Sequence, residues 1–250
     1  MDTITLYGYA TSPYVMKVGC YLQYKKLPFV FVPVNPVSPT QIKFTQQRQV
    51  PVLKIGEEWR KDSTELGIWL DERFPEKSLM AGTHKAEVLA IDKWISEELI
   101  PARFRAAVEW ERPLDSLRNG WILSTAVNAG TPLPKVVRLL WPFLVRKAGF
   151  IVDMVNQLDL VESMPDMRQR LCDEFVTHLA GGPFLGGLTQ PSLADFSAYP
   201  LIVSAHLMGM HGKSPMLEHN MIIQWSRRVQ ATLSDNPLLI PDELLKRAHL

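Results

Sequence analysis

Ser12 is the first residue of the chain whose type and position suggest chemistry. It follows a strand-like run and precedes Pro13, so it occupies the predicted N-cap of a helix. Its side-chain oxygen would cap that helix, while its hydroxyl hydrogen could be donated to an anion at the positive helix end. Capping alone would also explain this serine. Tyr7, Tyr9 and Thr11 are weaker candidate donors in the same turn.

Two residue pairs further along could bind an extended peptide and a carboxylate. Val50 and Pro51 open a strand-like run, where proline is unusual because it cannot donate to a strand ladder. A cis bond between them would turn the backbone N–H and C=O of Val50 outward, towards an extended peptide. Asp62 and Ser63 begin a helix, whose free N–H groups and serine hydroxyl suit a carboxylate. Simple capping would also explain the second pair.

The candidate residues lie at the ends of short alternating elements. The hydrophobic periods predict, in order, strand 4–7, helix 12–24, strand 29–34, a hairpin of strands 50–55 and 59–61, and helix 63–73. In such a βαβ unit followed by a ββα unit, three stretches can converge: the turn with Ser12, the Val50-Pro51 pair and the Asp62-Ser63 pair. A break at residues 74–78 ends this part of the chain.

The remainder of the chain predicts helices and no strand. Val88, Ile91, Ile95 and Leu99 form one face of a long amphipathic helix, and similar patterns recur near 135–162, 167–180, 192–210 and 217–233. We therefore expect two domains, at residues 1–76 and 86–250, joined by a linker at 77–85. Residues from Pro237 onwards are expected to form a partly ordered tail.

Composition and charge exclude several classes of function. The chain has 250 residues, of which 46% are hydrophobic and 21% charged, as in ordinary soluble globular proteins. A net charge of +1 argues against a nucleic-acid partner. Cys20, Cys172 and the scattered histidines lack metal-ligand spacing, so no metal is expected. Two widely separated cysteines are typical of a reducing compartment, and the N-terminus does not resemble a signal peptide, so we expect a cytoplasmic protein. Because no long apolar run occurs, we expect no membrane span.

Taken together, these motifs resemble the glutathione S-transferase superfamily. The resemblance rests on Leu6-Tyr7-Gly8, Ser12-Pro13-Tyr14, Gln49-Val50-Pro51-Val52-Leu53 and Asp62-Ser63, followed by a helical domain. It is strengthened by Pro183 to Gly187 and by Pro191 to Phe196, where Ser192 and Asp195 form an S-x-x-D capping pattern. The resemblance covers most of the chain. It implies a thioredoxin-like N-terminal domain followed by an all-helical domain.

The resemblance also implies roles for individual residues. Ser12 matches the residue that activates the glutathione sulfur in serine-type members, and related glutaredoxins carry the first cysteine of Cys-Pro-Tyr-Cys there. Because Ser12 and Val15 replace both cysteines, dithiol redox chemistry is not expected. The residues implied to bind glutathione are Arg48 and Gln49 (glycine carboxylate), Val50 (cysteinyl backbone), Pro51 (the cis proline), and Asp62 with Ser63 (γ-glutamyl end).

Some residues depart from the pattern or point to a particular branch. Thr45-Gln46 stands where many members have Asn-Pro, and Asp62 stands where Glu or Gln is more frequent. Ile42-Lys43-Phe44, together with the other motifs, also resembles the type-2 prostaglandin E synthase branch, whose site carries Cys-x-x-Cys. Ser12 and Val15 argue against that activity.

The expected function is a glutathione transferase. Ser12 would stabilise the glutathione thiolate, which would attack a small hydrophobic electrophile. Alternatives are a non-catalytic glutathione-binding or scaffold protein, and a glutathione-dependent isomerase or reductase. The superfamily is usually dimeric, so a homodimer is expected.

The electrophile pocket is expected between the domains, with walls from residues 104–110 and 116–152. The second stretch contains no acidic residue but five basic ones. Helices packed on the core with a solvated basic edge are the favoured interpretation of most of these residues. A basic amphipathic surface on a membrane is ranked last, because Pro132, Pro134 and Pro142 are expected to break any long helix.

Overall fold

The computed structural model describes residues 2–80, 82–212 and 214–250. Its first part is a four-stranded sheet of order β2-β1-β3-β4, with β1 parallel to β2 and the other neighbours antiparallel. The strands are β1 (Ile4–Gly8), β2 (Val30–Pro33), β3 (Val52–Ile55) and β4 (Glu58–Lys61). Helix α1 (Pro13–Tyr24) connects β1 to β2, a 3-10 helix (Thr40–Thr45) precedes β3, and helix α2 (Ser63–Arg73) follows β4.

The two faces of the sheet bury different clusters. Alternate residues of β1 and β3 point to the same side of the sheet, so Ile4, Leu6, Leu53 and Ile55 join the main core with α1. On the other face, Val34, Ile42 and Val52 form a small cluster, with Tyr7, Tyr9, Val50 and Trp59 packed against it. Leu6 and Tyr7 of β1 therefore pack on opposite faces of the sheet, just before the turn into α1.

The rest of the described chain is helical. It contains α3 (Lys85–Trp94), α4 (Ile100–Glu109), α5 (Pro113–Gly130), α6 (Lys135–Arg146), α7 (Gly149–Val155), α8 (Met164–Leu179), α9 (Leu193–Leu207), α10 (Pro215–Glu218) and α11 (Asn220–Gln230). A π-helical turn (Ile95–Leu99) joins α3 to α4. The predicted fold class, a thioredoxin-like domain followed by an all-helical part, is confirmed. The boundaries 1–76, 77–85 and 86–250 stay a prediction, and α5 was not predicted.

None of the helices in the described ranges has the length and apolarity needed to cross a membrane.

Helix α9 lies at the centre of the helical part, and its start is fixed by Asp195. This buried carboxylate accepts hydrogen bonds from the backbone N–H of Leu185 (3.0 Å) and of Ser192 (2.8 Å). It also accepts from the Ser192 hydroxyl (3.1 Å) and from Nε1–H of Trp225 on α11 (2.7 Å). Burial raises the pKa of Asp195 to about 6, although these four donors oppose the rise. The capping residue predicted at this position therefore joins α9 to two other elements.

The C-terminal residues are packed on the core, in contrast to the partly ordered tail expected from the sequence. Leu238 and Ile240 are buried, and the backbone N–H groups of Lys246 and Arg247 donate to the carbonyl of Leu207 (2.6 and 3.2 Å). Apolar residues spaced along a segment without regular structure carry no periodic signal, so this packing could not be predicted from pattern alone.

Helix α6 continues through Pro142, so the expectation that this proline would break the helix is wrong. The Pro142 ring lies against Gly120 of α5, where the Cβ atom of any other residue would come within 2.6 Å of the proline side chain. Glycine at 120 therefore lets α5 and α6 approach closely enough to hold the proline-containing helix in place.

Replacing Asp195 by asparagine should destabilise the protein much more than the same change in an exposed cap, because buried donors lose their acceptor. Asp195→Asn replaces two acceptor oxygens with one and turns an amide N–H towards existing donors. We expect a loss of about 3 kcal/mol in the free energy of unfolding, or roughly 6–12 °C in Tm. The measurement is thermal unfolding at about pH 8, above the raised pKa.

Asp166→Asn is the matched control. Asp166 is exposed and pairs with Ser163 (2.6 Å) at the start of α8 in the same S-x-x-D pattern. Its loss should cost at most about 1 kcal/mol. Equal shifts for the two variants would contradict a special role for Asp195.

Candidate functional site

The register of the sheet brings the three candidate stretches to one edge. Tyr7 of β1 pairs with Val52 of β3, and Val52 also pairs with Lys61 of β4. Just beyond this row lie the turn to Ser12, the Val50–Pro51 pair and Asp62. Neighbouring strands are about 4.8 Å apart, so the ends of β1 and β4 are separated by about 10 Å. A tripeptide in extended conformation spans about the same distance.

Ser12 stands at the N-cap of α1, where its backbone rather than its side chain makes the cap. Its N–H donates to the Tyr9 carbonyl (2.9 Å), and its carbonyl accepts from the N–H groups of Val15 (3.1 Å) and Met16 (3.0 Å). The expectation that the side-chain oxygen caps the helix is wrong, because no such hydrogen bond is formed. Among the described residues, the half-buried Ser12 hydroxyl has no hydrogen-bond partner and is available to a ligand.

The Val50–Pro51 bond is cis. Val50 is half-buried and packs against the small cluster that also contacts Tyr9, while Pro51 is buried. In the described ranges, the backbone N–H and C=O of Val50 take part in no turn or loop hydrogen bond. Both groups are therefore open to an added strand on the same side of the sheet as the Ser12 turn.

Arg48 and Gln49 are exposed beside these residues. The pKa of the Tyr9 hydroxyl is raised by burial, and the positive charge of Arg48 partly offsets the rise, so Arg48 lies near Tyr9. The side-chain oxygen of Gln49 accepts from Nζ of Lys61 (3.3 Å), the residue that ends β4. The contact with Lys61 therefore brings the Gln49 amide to the edge of the sheet, where the charge of Arg48 also acts on Tyr9.

Asp62 and Ser63 begin α2, as predicted, but two of the backbone N–H groups at this helix start already have a partner. Asp62 has a positive φ of 69°, and its Oδ1 accepts from the N–H groups of Thr64 (3.0 Å) and Glu65 (3.3 Å). Those two groups are consequently not free for a carboxylate, which corrects the expectation. Oδ2 of Asp62 and the largely buried Ser63 hydroxyl are used in no hydrogen bond of the described residues, and they remain for a ligand.

A buried ion pair beneath α2 was missed by the sequence analysis. Nζ of Lys17 on α1 donates to Asp92 of α3 (2.7 Å) and to the hydroxyl of Thr64 (3.0 Å), and Thr64 in turn donates to Asp92 (2.6 Å). The side chains of Lys17 and Asp92 are 1% and 3% exposed. Burial lowers the pKa of Lys17, and the Asp92 carboxylate opposes that shift. A lysine inside the apolar run of residues 15–22 was the available sequence signal.

The ion pair extends into a network that joins four helices. Ser197 of α9 lies 2.6 Å from Asp92, and the Tyr21 hydroxyl of α1 lies 3.3 Å from Ser197. Close by, Tyr14 has a raised pKa because of burial, with the negative charges of Asp92 and Asp62 adding to the effect. The network therefore attaches the first turn of α2, which carries Asp62 and Ser63, to both parts of the molecule.

A cavity of about 160 Å³ lies beside the start of α1. Thr11, Pro13 and Met16 line it from the α1 side, and Leu201 and Met208 line it from α9. The two expected wall segments contribute Phe104, Ala106, Ala107, Trp110, Ser116, Asn119, Gly120, Leu123, Pro142 and Val145. Charged side chains also line it, among them Arg168, which pairs with Glu111, and Arg112, which pairs with Asp115 (3.2 Å). A cavity of this volume accommodates a group about the size of benzene.

Neither cysteine is part of this site. Cys20 and Cys172 are both buried, and burial raises the pKa of each thiol. Within residues 2–80, 82–212 and 214–250, no group of three or more His, Cys, Asp or Glu residues is arranged to hold a metal ion.

Comparison with known proteins identifies the family. A family model described as the glutathione S-transferase N-terminal domain matches residues 6–78. Prostaglandin E synthase 2 from Mus musculus is 48% identical over 291 aligned positions, which cover 94% of this chain and 71% of the relative. The chain belongs to the glutathione S-transferase superfamily. The resemblance inferred from the sequence motifs is thereby confirmed.

Solved structures of this superfamily share the fold at low sequence identity. Human glutathione transferase theta-2, in complex with glutathione and an unknown ligand, has a TM-score of 0.61 at 18% identity and covers 92% of this chain and 82% of its own. Beta-etherase LigF from Sphingobium has a TM-score of 0.61 at 20% identity, with 92% and 95% covered. At these identities the glutathione transferase fold is common to all three chains, and the chemistry of each has to be argued from its own residues.

Removing one partner of the buried ion pair should lower the free energy of unfolding strongly. Replacing both partners should lower it much less. Asp92→Leu leaves the Lys17 ammonium buried without its counter-charge, and we expect the free energy of unfolding to fall by about 3–5 kcal/mol. The double variant Lys17→Met/Asp92→Leu removes both charges and should recover most of that loss. Urea unfolding of the two variants measures the difference.

The matched control is Glu97→Gln, which breaks the exposed pair between Lys93 and Glu97 (3.8 Å). This change should cost less than about 1 kcal/mol. If the single and double variants at 17 and 92 were equally unstable, the unpaired charge would not be the cause.

Proposed function

We propose that this superfamily member is a serine-type glutathione transferase, in which Ser12 activates the glutathione thiol for attack on a small hydrophobic electrophile. The observation that carries the proposal is the row from Tyr7 through Val52 to Lys61, because it sets three unused groups of donors and acceptors along one sheet edge. That edge has the length of an extended tripeptide.

The direction of glutathione along the edge follows from the chemistry of each end. At the α2 end, Oδ2 of Asp62 suits the α-ammonium of the γ-glutamyl group, and the Ser63 hydroxyl suits its carboxylate. In the middle, the open backbone of Val50 beside Pro51 pairs with the cysteinyl backbone. The cysteinyl sulfur then points to Ser12, and the glycine carboxylate lies towards Arg48 and Gln49.

Activation of the thiol requires a free energy that this turn can supply. A cysteine thiol has a pKa of about 8.5, and lowering it by roughly two units needs about 2.7 kcal/mol. A hydrogen bond to a charged acceptor contributes about 1.5–3 kcal/mol, and a helix N-terminus about 0.3–1 kcal/mol more. Because its hydroxyl is not used by the cap, Ser12 can donate fully to the thiolate.

The cavity behind Thr11 and Pro13 is the proposed electrophile site. Its volume of about 160 Å³ suits a compound with one aromatic ring. In the reaction, the thiolate sulfur donates its electron pair to an electrophilic carbon, the thiol proton passes to solvent, and the leaving group departs with the bonding electrons. We also propose that the chain acts as the homodimer usual in the superfamily.

A second candidate is a glutathione-dependent isomerase. It is favoured by the 48% identity to a protein named prostaglandin E synthase 2. Its weakness is size, because the cavity is small for a prostaglandin-type lipid unless the chain of such a lipid extends past the rim. A non-catalytic glutathione-binding protein would keep the sheet edge without activating the sulfur.

Replacing Ser12 should separate binding from activation. In Ser12→Ala the glutathione affinity should change little, while the thiolate absorbance of the bound tripeptide near neutral pH should disappear and turnover should fall by roughly 10–100-fold, because the lost hydrogen bond is worth about 1.5–3 kcal/mol. Ultraviolet difference titration paired with calorimetry measures both quantities. Thr11→Val, which removes the neighbouring hydroxyl, is the matched control, and a larger loss there than in Ser12→Ala would transfer the role to Thr11.

The amount of glutathione thiol consumed distinguishes conjugation from isomerisation. A conjugation consumes one glutathione for each product formed, whereas an isomerisation returns it unchanged. We expect thiol loss equal to product formed with a one-ring aromatic electrophile, measured by thiol titration and product mass. Turnover of an endoperoxide lipid without thiol loss would instead establish the isomerase, and the absence of both reactions with intact glutathione binding would leave a binding protein.

A further inference from the structure

Helix α6 exposes its apolar side chains instead of burying them. Val136, Leu139, Leu140, Phe143 and Leu144 are between 44% and 66% exposed. The opposite side of the helix, which includes the buried Pro142, packs against α5. Exposing one large apolar side chain is ordinary, but a row of five on one helix marks an interaction surface.

The apolar surface extends beyond α6. The described residues expose fourteen large apolar side chains, and eight of them lie between residues 114 and 150. Besides the five on α6, these are Leu114 and Trp121 of α5 and Phe150 of α7. We call these eight side chains, with the basic residues described next, the α6 surface.

From residue 116 onwards, the same part of the chain carries only positive charge, and the preceding Asp115 pairs with Arg112 (3.2 Å). Residues 116–152 contain Arg118, Lys135, Arg138, Arg146 and Lys147 and no Asp or Glu, although the whole chain has a net charge of only +1. Arg118, Lys135, Arg146 and Lys147 are exposed. Helix α6 carries basic residues beside exposed leucines and a phenylalanine, and the neighbouring α5 adds an exposed tryptophan. This composition is typical of surfaces that lie in the interface of an anionic membrane.

The charge pattern decides between the two occupants that such a surface could have. In a two-fold symmetric dimer the same patch of both copies meets, so the positive side chains of one copy would face those of the other. An anionic lipid surface, in contrast, is complementary to both the basic and the apolar groups. Pro142 does not prevent a membrane-surface helix, because α6 is continuous from Lys135 to Arg146.

We propose that the α6 surface docks on an anionic lipid bilayer, with α6 lying in the plane of the membrane interface. Leu139, Leu140 and Phe143 enter the acyl boundary, and Lys135 and Lys147 contact lipid phosphates. The attachment is peripheral and reversible, and it is independent of whether the chain is a transferase.

The α6 surface borders the cavity beside α1. Phe143 packs against Trp110 (5.2 Å between ring centroids), and the guanidinium of Arg146 lies 5.0 Å from the centre of the same ring. Trp110, Pro142 and Val145 line the cavity. An apolar compound dissolved in the bilayer would therefore have a short path from the membrane to the cavity.

Sedimentation with lipid vesicles tests the proposal on the full chain. Vesicles of phosphatidylcholine alone are compared with vesicles of phosphatidylcholine and phosphatidylserine. We expect binding to the anionic vesicles only, with release as the salt concentration is raised, because screening weakens the contacts to phosphate. A blue shift of tryptophan emission that is lost in Trp121→Phe would place α5 at the membrane as well.

Variants of the surface assign the contact. Leu139→Glu/Phe143→Glu and Lys135→Glu/Lys147→Glu should each weaken binding to anionic vesicles by roughly tenfold or more. Two controls should bind as the parent does. Val161→Glu places an acid at an apolar position that is 94% exposed elsewhere, and Lys85→Glu reverses an exposed charge at the start of α3. Circular dichroism and glutathione binding show that each variant is folded.

Three results would overturn the proposal. One is the absence of binding to anionic vesicles by the parent chain. Another is unchanged binding by both double variants. The third is light scattering that gives a dimer for the parent and a monomer for Leu139→Glu/Phe143→Glu without vesicle binding by either, which would make the α6 surface a contact between copies.

Discussion

The buried charge of Lys17 is the constraint on which the relative positions of the helices depend. An ammonium group inside the core is tolerated only where a carboxylate and further hydrogen bonds compensate for the loss of water. Asp92 supplies the charge, and Thr64 and Ser197 complete the set. Because these residues come from α1, α2, α3 and α9, the four helices can satisfy the charge only in one arrangement.

That arrangement also positions the proposed glutathione site. Thr64 is two residues beyond Asp62, so the network holds the first turn of α2 at the edge of the sheet where β1 ends and β3 begins. The sheet register sets the spacing of the Ser12 turn, the Val50–Pro51 pair and the start of α2. The network around Lys17 sets the orientation of the start of α2. Among the described residues, the Ser12 hydroxyl and Oδ2 of Asp62 are then left without internal partners at the two ends of the edge, which is the condition for binding a ligand rather than only closing a helix.

Packing within the helical part decides which side chains of α6 face outwards. Gly120 allows Pro142 to pack tightly on α5, so α6 buries its proline face and keeps its leucines and phenylalanines outside. The cavity is lined by residues of α1 and by Gly120, Pro142 and Val145 of α5 and α6. One wall is therefore part of the thioredoxin-like domain, and another is the inner side of the helix pair that carries the α6 surface. A change in the packing of α5 against α6 would therefore alter both the cavity, which is the proposed electrophile site, and the outer face.

The sequence alone determined the order of the strands and most helices, and the placement of Ser12, Pro51, Asp62 and Ser63 at element ends, because period and capping preferences act between neighbours in the chain. It did not predict α5, whose Gly120, Gly130 and polar residues leave no clear apolar stripe and whose helix depends on packing against α6. Only the tertiary structure decided that Lys17 pairs with Asp92, 75 residues away, that Asp62 uses one oxygen on its own helix, and that α6 faces outwards. Those outcomes depend on which faces meet in space, and burial and pairing energies arise only after they have met.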